Sequence, residues 1–264
     1  MHTLKNYDYH GLLASTWDLW RDDTANWSDR HYYFDIVREF GQPVLDVGCG
    51  TGRLILDFLQ HGIDIDGIDN SPEMLAICRD KARALGFSPR LELGQIEHLD
   101  LPWRWYRTIL LPSSILQLIP PDTAREALKR CFAHLEPGGA ATTPFGFAWR
   151  EGDPLDTGWK LLFEKPRGGD GVIVRSWTRE WQEPEQQCWN VEQRFEIVAD
   201  GKVIAEETHR RSPDGWWYTQ DQARALFASA GFDSGAVHLH SGFSRTPATP
   251  DDRLFTGLCV KGTS

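Results

Sequence analysis

Residues 44–54 read Val-Leu-Asp-Val-Gly-Cys-Gly-Thr-Gly-Arg-Leu, with a carboxylate, Asp46, two positions before three alternating glycines. Glycines at 48, 50 and 52 let the backbone turn tightly and approach a ligand where a Cβ would collide. A helix that follows such a turn aims its free N–H groups at the same point. The chemistry this suits is the binding of a nucleotide-like cofactor. The G-x-G-x-G spacing is one residue tighter than the G-x-G-x-x-G that seats a pyrophosphate. Asp46 would repel a pyrophosphate, and it suits a ligand bearing an ammonium and a sulfonium. Asp69, within Gly67-Ile68-Asp69-Asn70-Ser71, lies at about the 20-residue offset where a carboxylate accepts from ribose hydroxyls.

These residues match in full the motif hydrophobic-[DE]-x-G-x-G-x-G, and at this point the chain resembles the class I S-adenosylmethionine-dependent methyltransferases. The resemblance implies S-adenosylmethionine as cofactor, held by Asp46, Gly48, Cys49, Gly50, Gly52, Asp69 and Asn70. It puts adenine at Leu93-Gly94-Gln95-Ile96-Glu97, where Gln95 stands in place of the Asp that many members use. An amide oxygen also accepts a hydrogen bond there, more weakly than a carboxylate. Met74 and Ile96 are placed to sandwich the base, although ordinary helix packing accounts for Met74 equally well. Leu111 falls beside the expected methyl position. The stretch Leu12–Trp20 resembles the A-x-x-Y-D helix that covers the cofactor in small-molecule members, with Trp17 in place of Tyr. Trp17 either lies against the sulfonium, a cation–π contact of about 0.5–2 kcal/mol, or docks its helix on the core.

The acceptor side carries weaker signals. Members that methylate exocyclic amines of nucleic-acid bases tend to carry [DNS]-P-P-[YFW] after the fourth strand. This chain reads Leu111-Pro112-Ser113-Ser114-Ile115-Leu116-Gln117 instead. Ser113, Ser114 and Gln117 either orient a small polar acceptor or cap the next segment. Phe145, Trp149, Trp177 and Trp217 are candidate pocket walls. Among the histidines, His209 is the candidate general base, with a structural role as the alternative. His238 and His240 share one strand face, but two ligands without a third do not make a metal site. His134 fits a helix C-terminus, where it interacts with the dipole. The five cysteines are scattered without a C-x-x-C pair, so neither a zinc site nor a disulfide framework is expected, and Cys49 is a small spacer in the loop.

The elements that must position these residues alternate strand and helix over 42–145, the signature of a doubly wound parallel sheet. Strands are predicted at Pro43–Val47, Ile63–Asp69, Arg90–Gly94, Arg107–Pro112 and Gly139–Phe145. Helices are predicted at Gly52–Gln60, Ser71–Leu85 and Asp122–Leu135. Thr219–Ala230, then Ala236–His240 and Leu254–Lys261, read as a last helix and a closing β-hairpin. Between them lie roughly 70 residues, far beyond an ordinary connection. Val172–Trp181, Trp189–Val198 and Val203–Arg211 alternate as strands there, with Asp200-Gly201 as a hairpin turn. The fold class is therefore α/β, a Rossmann-like methyltransferase sheet with an inserted antiparallel β subdomain. Its expected divisions are an N-terminal helical cover (1–41), a cofactor core (42–145), the inserted sheet (146–218) as lid, acceptor pocket or dimer contact, and a closing segment (219–264).

A formal charge of −10 over 264 residues disfavours nucleic acid, whose binding rests on a basic footprint. His209-Arg210-Arg211 is a single small basic cluster. Residues 1–20 have no apolar signal-peptide core, and no run is long enough to span a bilayer, so a reduced, cytoplasmic setting without membrane partners is expected. Taken with the resemblance, these features imply methyl transfer to an N or O nucleophile of a small-molecule acceptor, with a homodimer possible. The alternatives are a protein or RNA methyltransferase, or a non-catalytic S-adenosylmethionine-binding protein.

Overall fold

The structure, a computed structural model, describes residues 7–263 apart from 22, 23, 25, 147 and 170. Two short helices, α1 (Gly11–Ser15) and α2 (Trp17–Trp20), precede α3 (Ser28–Phe40). Strand and helix then alternate through β1 (Val44–Val47), α4 (Arg53–Gln60), β2 (Ile65–Asp69), α5 (Pro72–Ala84), β3 (Leu91–Leu93) and β4 (Tyr106–Leu110). Next come α6 (Pro121–His134) and β5 (Leu135–Phe145), then four strands, β6 (Lys160–Pro166), β7 (Ile173–Glu183), β8 (Cys188–Ala199) and β9 (Lys202–Trp216). The chain closes with α7 (Gln220–Ser229), β10 (Val237–Ser241) and β11 (Phe255–Val260).

The chain divides into two compact units, Asp23–Ala148 with Trp217–Ser264 and Met1–Asp22 with Trp149–Trp216. The larger contains a seven-stranded sheet in the order β10-β11-β5-β4-β1-β2-β3. Strands β1 to β5 are parallel, and β11 runs antiparallel between β5 and β10, which is the closing hairpin the sequence predicts. All four residues of β1 are buried, as a central strand covered on both faces must be. Tyr33, Ile36 and Val37 of α3 join Leu54, Ile55 and Phe58 of α4 in the apolar core beside Val44 and Ile65. Helix α3 thus belongs to the core unit.

Local chemistry sets the helix starts. Ser71 accepts from Met74 N–H at 3.1 Å with Pro72 in the first turn of α5. Thr219 and Gln222 form a reciprocal capping box at α7, with Gln222 N–H on the Thr219 hydroxyl at 3.2 Å and Thr219 N–H on the Gln222 amide at 2.8 Å. Thr219→Ala is expected to lower stability by about 0.5–2 kcal/mol in denaturant unfolding. An unchanged midpoint would mean the box contributes nothing to α7.

The smaller unit contains an antiparallel sheet in the order β6-β7-β8-β9. Asp200 and Gly201 both take positive φ, 50° and 72°, at the β8–β9 turn. Strand β6 is absent from the sequence reading: Lys160–Pro166 alternates weakly, sits at the sheet edge and ends in proline. Register fixes the faces. Thr178 pairs with Gln193 and Gln193 with His209, so these three share a face, while Trp177 paired with Arg194 lies on the other. On the His209 face, Val174, Phe195 and Ile197 pack with Phe163, Val172 and Leu13 of α1. Among the described residues, no helix is long and apolar enough to cross a membrane.

Candidate cofactor site

The C-terminal end of β1 and the turn into α4 build the site. The turn is pinned from below: Ile68 carbonyl accepts from Gly48 N–H at 2.8 Å and from Cys49 N–H at 3.1 Å. Gly50 N–H donates to Asp69 Oδ2 at 2.8 Å, and Ser71 N–H to Asp69 Oδ1 at 2.8 Å. Asp69 therefore fastens the glycine turn to the end of β2. Gly48 (φ +71°) and Gly52 (φ +89°) occupy left-handed backbone. A Cβ would lie 2.9 Å from the Ile115 side chain at Gly48 and 2.6 Å from Cys78 Sγ at Gly52. The turn thus needs glycine for both conformation and space.

The charges favour a cation. Asp46 is 1% exposed, and its Oδ1 lacks a hydrogen-bond partner among the described residues. Burial pushes its pKa up to about 8, Arg53 pulls it down, and the carboxylates of Asp69 and Asp29 push it up. Arg53 is already spent on Asp29, through contacts of 3.0 and 2.7 Å. Burial also raises the pKa of Asp69, partly offset by the N–H groups of Ser71, Gly50 and Asn70. Three carboxyl groups around one engaged guanidinium leave the turn poised for a positive ligand and hostile to a pyrophosphate. The orphaned Asp46 oxygen and the glycine cradle fit the ammonium and the close backbone approach that S-adenosylmethionine requires.

The remaining expected cofactor contacts line the same sheet end or lie elsewhere. Met74 and Ile96 are buried and Gln95 is half-buried ahead of a short helical turn. Leu111 is fully buried after β4. The Cys49 thiol is hydrogen-bonded to Cys78, which together with burial raises its pKa well above the usual value, so it is a spacer with no nucleophilic character. Trp17, in the smaller unit, meets Tyr9 and Trp20 edge-on, and the Arg21 guanidinium lies 4.4 Å from its ring centroid. A cation already occupies one face of that ring.

Several expected acceptor residues are placed otherwise by the structure. Gln117 is fully buried, donating to Gly146 carbonyl at 2.8 Å and accepting from Gly146 N–H at 2.6 Å. It clamps the chain leaving β5, and both ends of its amide are engaged in doing so. Phe145 is core: it stacks on Phe255 and meets Tyr218 and Phe227 edge-on at 1% exposure. Ser113 is exposed, and both Ser113 and Ser114 take positive φ, 54° and 57°. Trp217 is buried in the larger unit. Trp149 donates its indole N–H to Asp153 carbonyl at 3.1 Å in the smaller one. Trp177 lies on the sheet face opposite His209, under the Arg194 guanidinium.

His209 is buried, and burial lowers its pKa. Its Nε2 lies 3.1 Å from Glu207 Oε1, with the His10 ring 4.7 Å away between centroids. The sequence reading missed both neighbours. Glu207 and His209 stand two apart on one strand, the same spacing noticed at His238 and His240, so a signal was present. His10 is distant in sequence and gave none.

The glycine turn, the orphaned acid and the sheet order together define an S-adenosylmethionine-binding α/β fold. A family model described as a methyltransferase domain matches residues 44–139. Phosphatidylethanolamine N-methyltransferase of Cereibacter sphaeroides is 42% identical over 91 residues, covering 34% of this chain and 43% of that protein. Carboxy-S-adenosyl-L-methionine synthase of Campylobacter concisus is 31% identical over 191 residues, covering 72% of this chain and 68% of that protein. The sugar N-methyltransferase KedS8 of Streptoalloteichus sp ATCC 53650 shares the fold at a TM-score of 0.71, with 99% of both chains covered and 19% identity. Against the first curated relatives the match spans well under half of their length, 38% to 43%. The chain belongs to the class I S-adenosylmethionine-dependent methyltransferase family.

Proposed function

We propose that this chain transfers a methyl group from S-adenosylmethionine to an N or O nucleophile of a small-molecule acceptor, by in-line displacement. The observation that carries this reading is the buried, unpartnered Asp46 oxygen at the head of the glycine turn. The cofactor supplies an activated methyl on a sulfonium. The chain's own residues supply position and exclude water. Asp46 receives the ammonium, Asp69 the ribose hydroxyls, and Met74, Gln95 and Ile96 the adenine. Gly48, Cys49, Gly50, Gly52, Asn70 and Leu111 shape the walls of that site. A neutral amine attacks without a protein base and gives up its surplus proton to solvent after the transfer, whereas a hydroxyl acceptor would need a base to take its proton.

A small acceptor is supported by two relatives, a phosphatidylethanolamine N-methyltransferase and a ubiquinone biosynthesis O-methyltransferase. The net charge of −10 and the missing base-methylation motif favour it over nucleic acid. The test incubates purified protein with methyl-labelled S-adenosylmethionine and an extract separated into metabolite, protein and RNA fractions. Label is expected in the low-molecular-weight pool. Label confined to protein or RNA would overturn the choice of acceptor, and no label in any fraction would overturn the activity.

A further inference from the structure

We infer that His10, Glu207 and His209 form a binding site for a divalent transition-metal ion, with Zn2+ the best match, which staples the segment ahead of α1 to strand β9. Among the described residues these three form the group whose candidate ligand atoms all lie within 4.8 Å of one another. Glu207 Oε1 is central, 3.1 Å from His209 Nε2 and 3.6 Å from His10 Nδ1. Ligands about 2.1 Å from a tetrahedral zinc ion are spaced by roughly 3.4 Å, so both distances suit one shared ion.

The fold holds each ligand in place. Glu207 and His209 project from the same face of β9 at strand spacing, opposite Phe195 and Gln193 of β8. The Glu207 carboxylate is oriented from outside the trio, because its Oε2 accepts from Leu12 N–H at 2.6 Å. An outer partner of this kind is what orients the carboxylate ligand of a metal. Gly11 takes φ +56°, and a side chain there would collide with the same carboxylate. Glycine is therefore what allows Glu207 to seat against the turn that carries His10. Leu13, packed with Phe195, Ile197 and Val174, fixes that turn on the sheet. Phe195 meets the His209 ring edge-on at 5.8 Å and walls one side.

A simple ion pair does not exhaust these contacts. The His209 side chain is only 4% exposed, yet its Nε2 has no hydrogen bond of acceptable geometry despite the carboxylate 3.1 Å away. A buried ring nitrogen in that condition is short of a partner. Two imidazoles and one carboxylate, with no thiolate, are a donor set for Zn2+, Ni2+ or Cu2+, whereas Mg2+ and Ca2+ take oxygen. Ligation commits the His209 lone pair that proton abstraction would need, so the ion and a general-base role exclude each other. The inference is independent of the acceptor and of methyl transfer.

The test uses the untagged full chain, dialysed against Zn2+ and then against metal-free buffer, with bound metal measured by mass spectrometry. One zinc per chain is expected. His10→Ala, Glu207→Gln and His209→Ala should each weaken binding beyond the roughly 10–100-fold that loss of an outer partner costs. His238→Ala should leave it unchanged. Co2+ substitution should give visible d–d absorption in the wild type and lose it in His10→Ala. Folding is controlled by circular dichroism, and His10→Ala leaves the sheet itself untouched. Zn2+ should raise the melting temperature of the wild type but not of His10→Ala. No retained zinc in the wild type, retention unaffected by His10→Ala and His209→Ala, or loss on His238→Ala would each overturn the site.

Discussion

Asp46→Asn is expected to lower affinity for S-adenosylhomocysteine by roughly 10- to 100-fold, the 1.5–3 kcal/mol of a hydrogen bond to a charged group. In the free protein, burial holds the Asp46 pKa near 8, so at neutral pH the carboxyl is largely protonated. The ligand ammonium favours the ionised form, so binding must release a proton. Affinity should therefore rise as pH goes from 6 towards 8, and fall again at higher pH where the ligand's own ammonium loses its charge. Calorimetry in two buffers of different ionisation enthalpy reads the proton directly. The Asn variant should bind weakly and release none. Stability should move the other way. A carboxyl whose folded pKa lies above its unfolded value binds more protons folded than unfolded. The free wild type is then destabilised as pH rises from about 4 towards 8, and Asn escapes that loss. Equal affinity of variant and wild type would remove Asp46 from the site.

Asp69→Ala should be comparably damaging for a different reason. Both of its oxygens hold backbone, Gly50 N–H and Ser71 N–H, each at 2.8 Å. Truncation loosens the glycine turn and the start of α5 as well as removing the proposed ribose acceptor. The expected loss is roughly 1–3 kcal/mol in cofactor affinity, from polar groups left unpaired. A lower melting temperature should accompany it. Asp69→Asn keeps one acceptor oxygen and should restore part of the affinity. Unchanged binding in Asp69→Ala would move the ribose contact elsewhere.

The cofactor end of the fold was legible because its signals are local. Val44–Val47 is a short apolar strand, the glycines sit where left-handed backbone is needed, and Ser71-Pro72 and Thr219 announce helix starts. The parallel sheet and its reversed closing hairpin follow from the order of those signals. The acceptor side was less legible because apolar type does not reveal which way a residue faces. Phe145 reads as a pocket wall and is core; Gln117 reads as a polar contact and is a backbone clamp. Trp177 lies opposite His209 because register, which the sequence leaves open, decides the face. Of the trio, Glu207 and His209 stand at strand spacing in the sequence, but His10 joins them only through tertiary packing of α1 on the inserted sheet, which left the group as a whole illegible.

The central claim is that the glycine turn with Asp46 is built for S-adenosylmethionine and not for a dinucleotide. Titration calorimetry of the purified chain with S-adenosylhomocysteine and, separately, with NAD tests it most directly. The account predicts saturable one-to-one binding of S-adenosylhomocysteine, weakened in Asp46→Asn, and no heat of binding from NAD. Binding of NAD, or S-adenosylhomocysteine binding indifferent to Asp46, would contradict it.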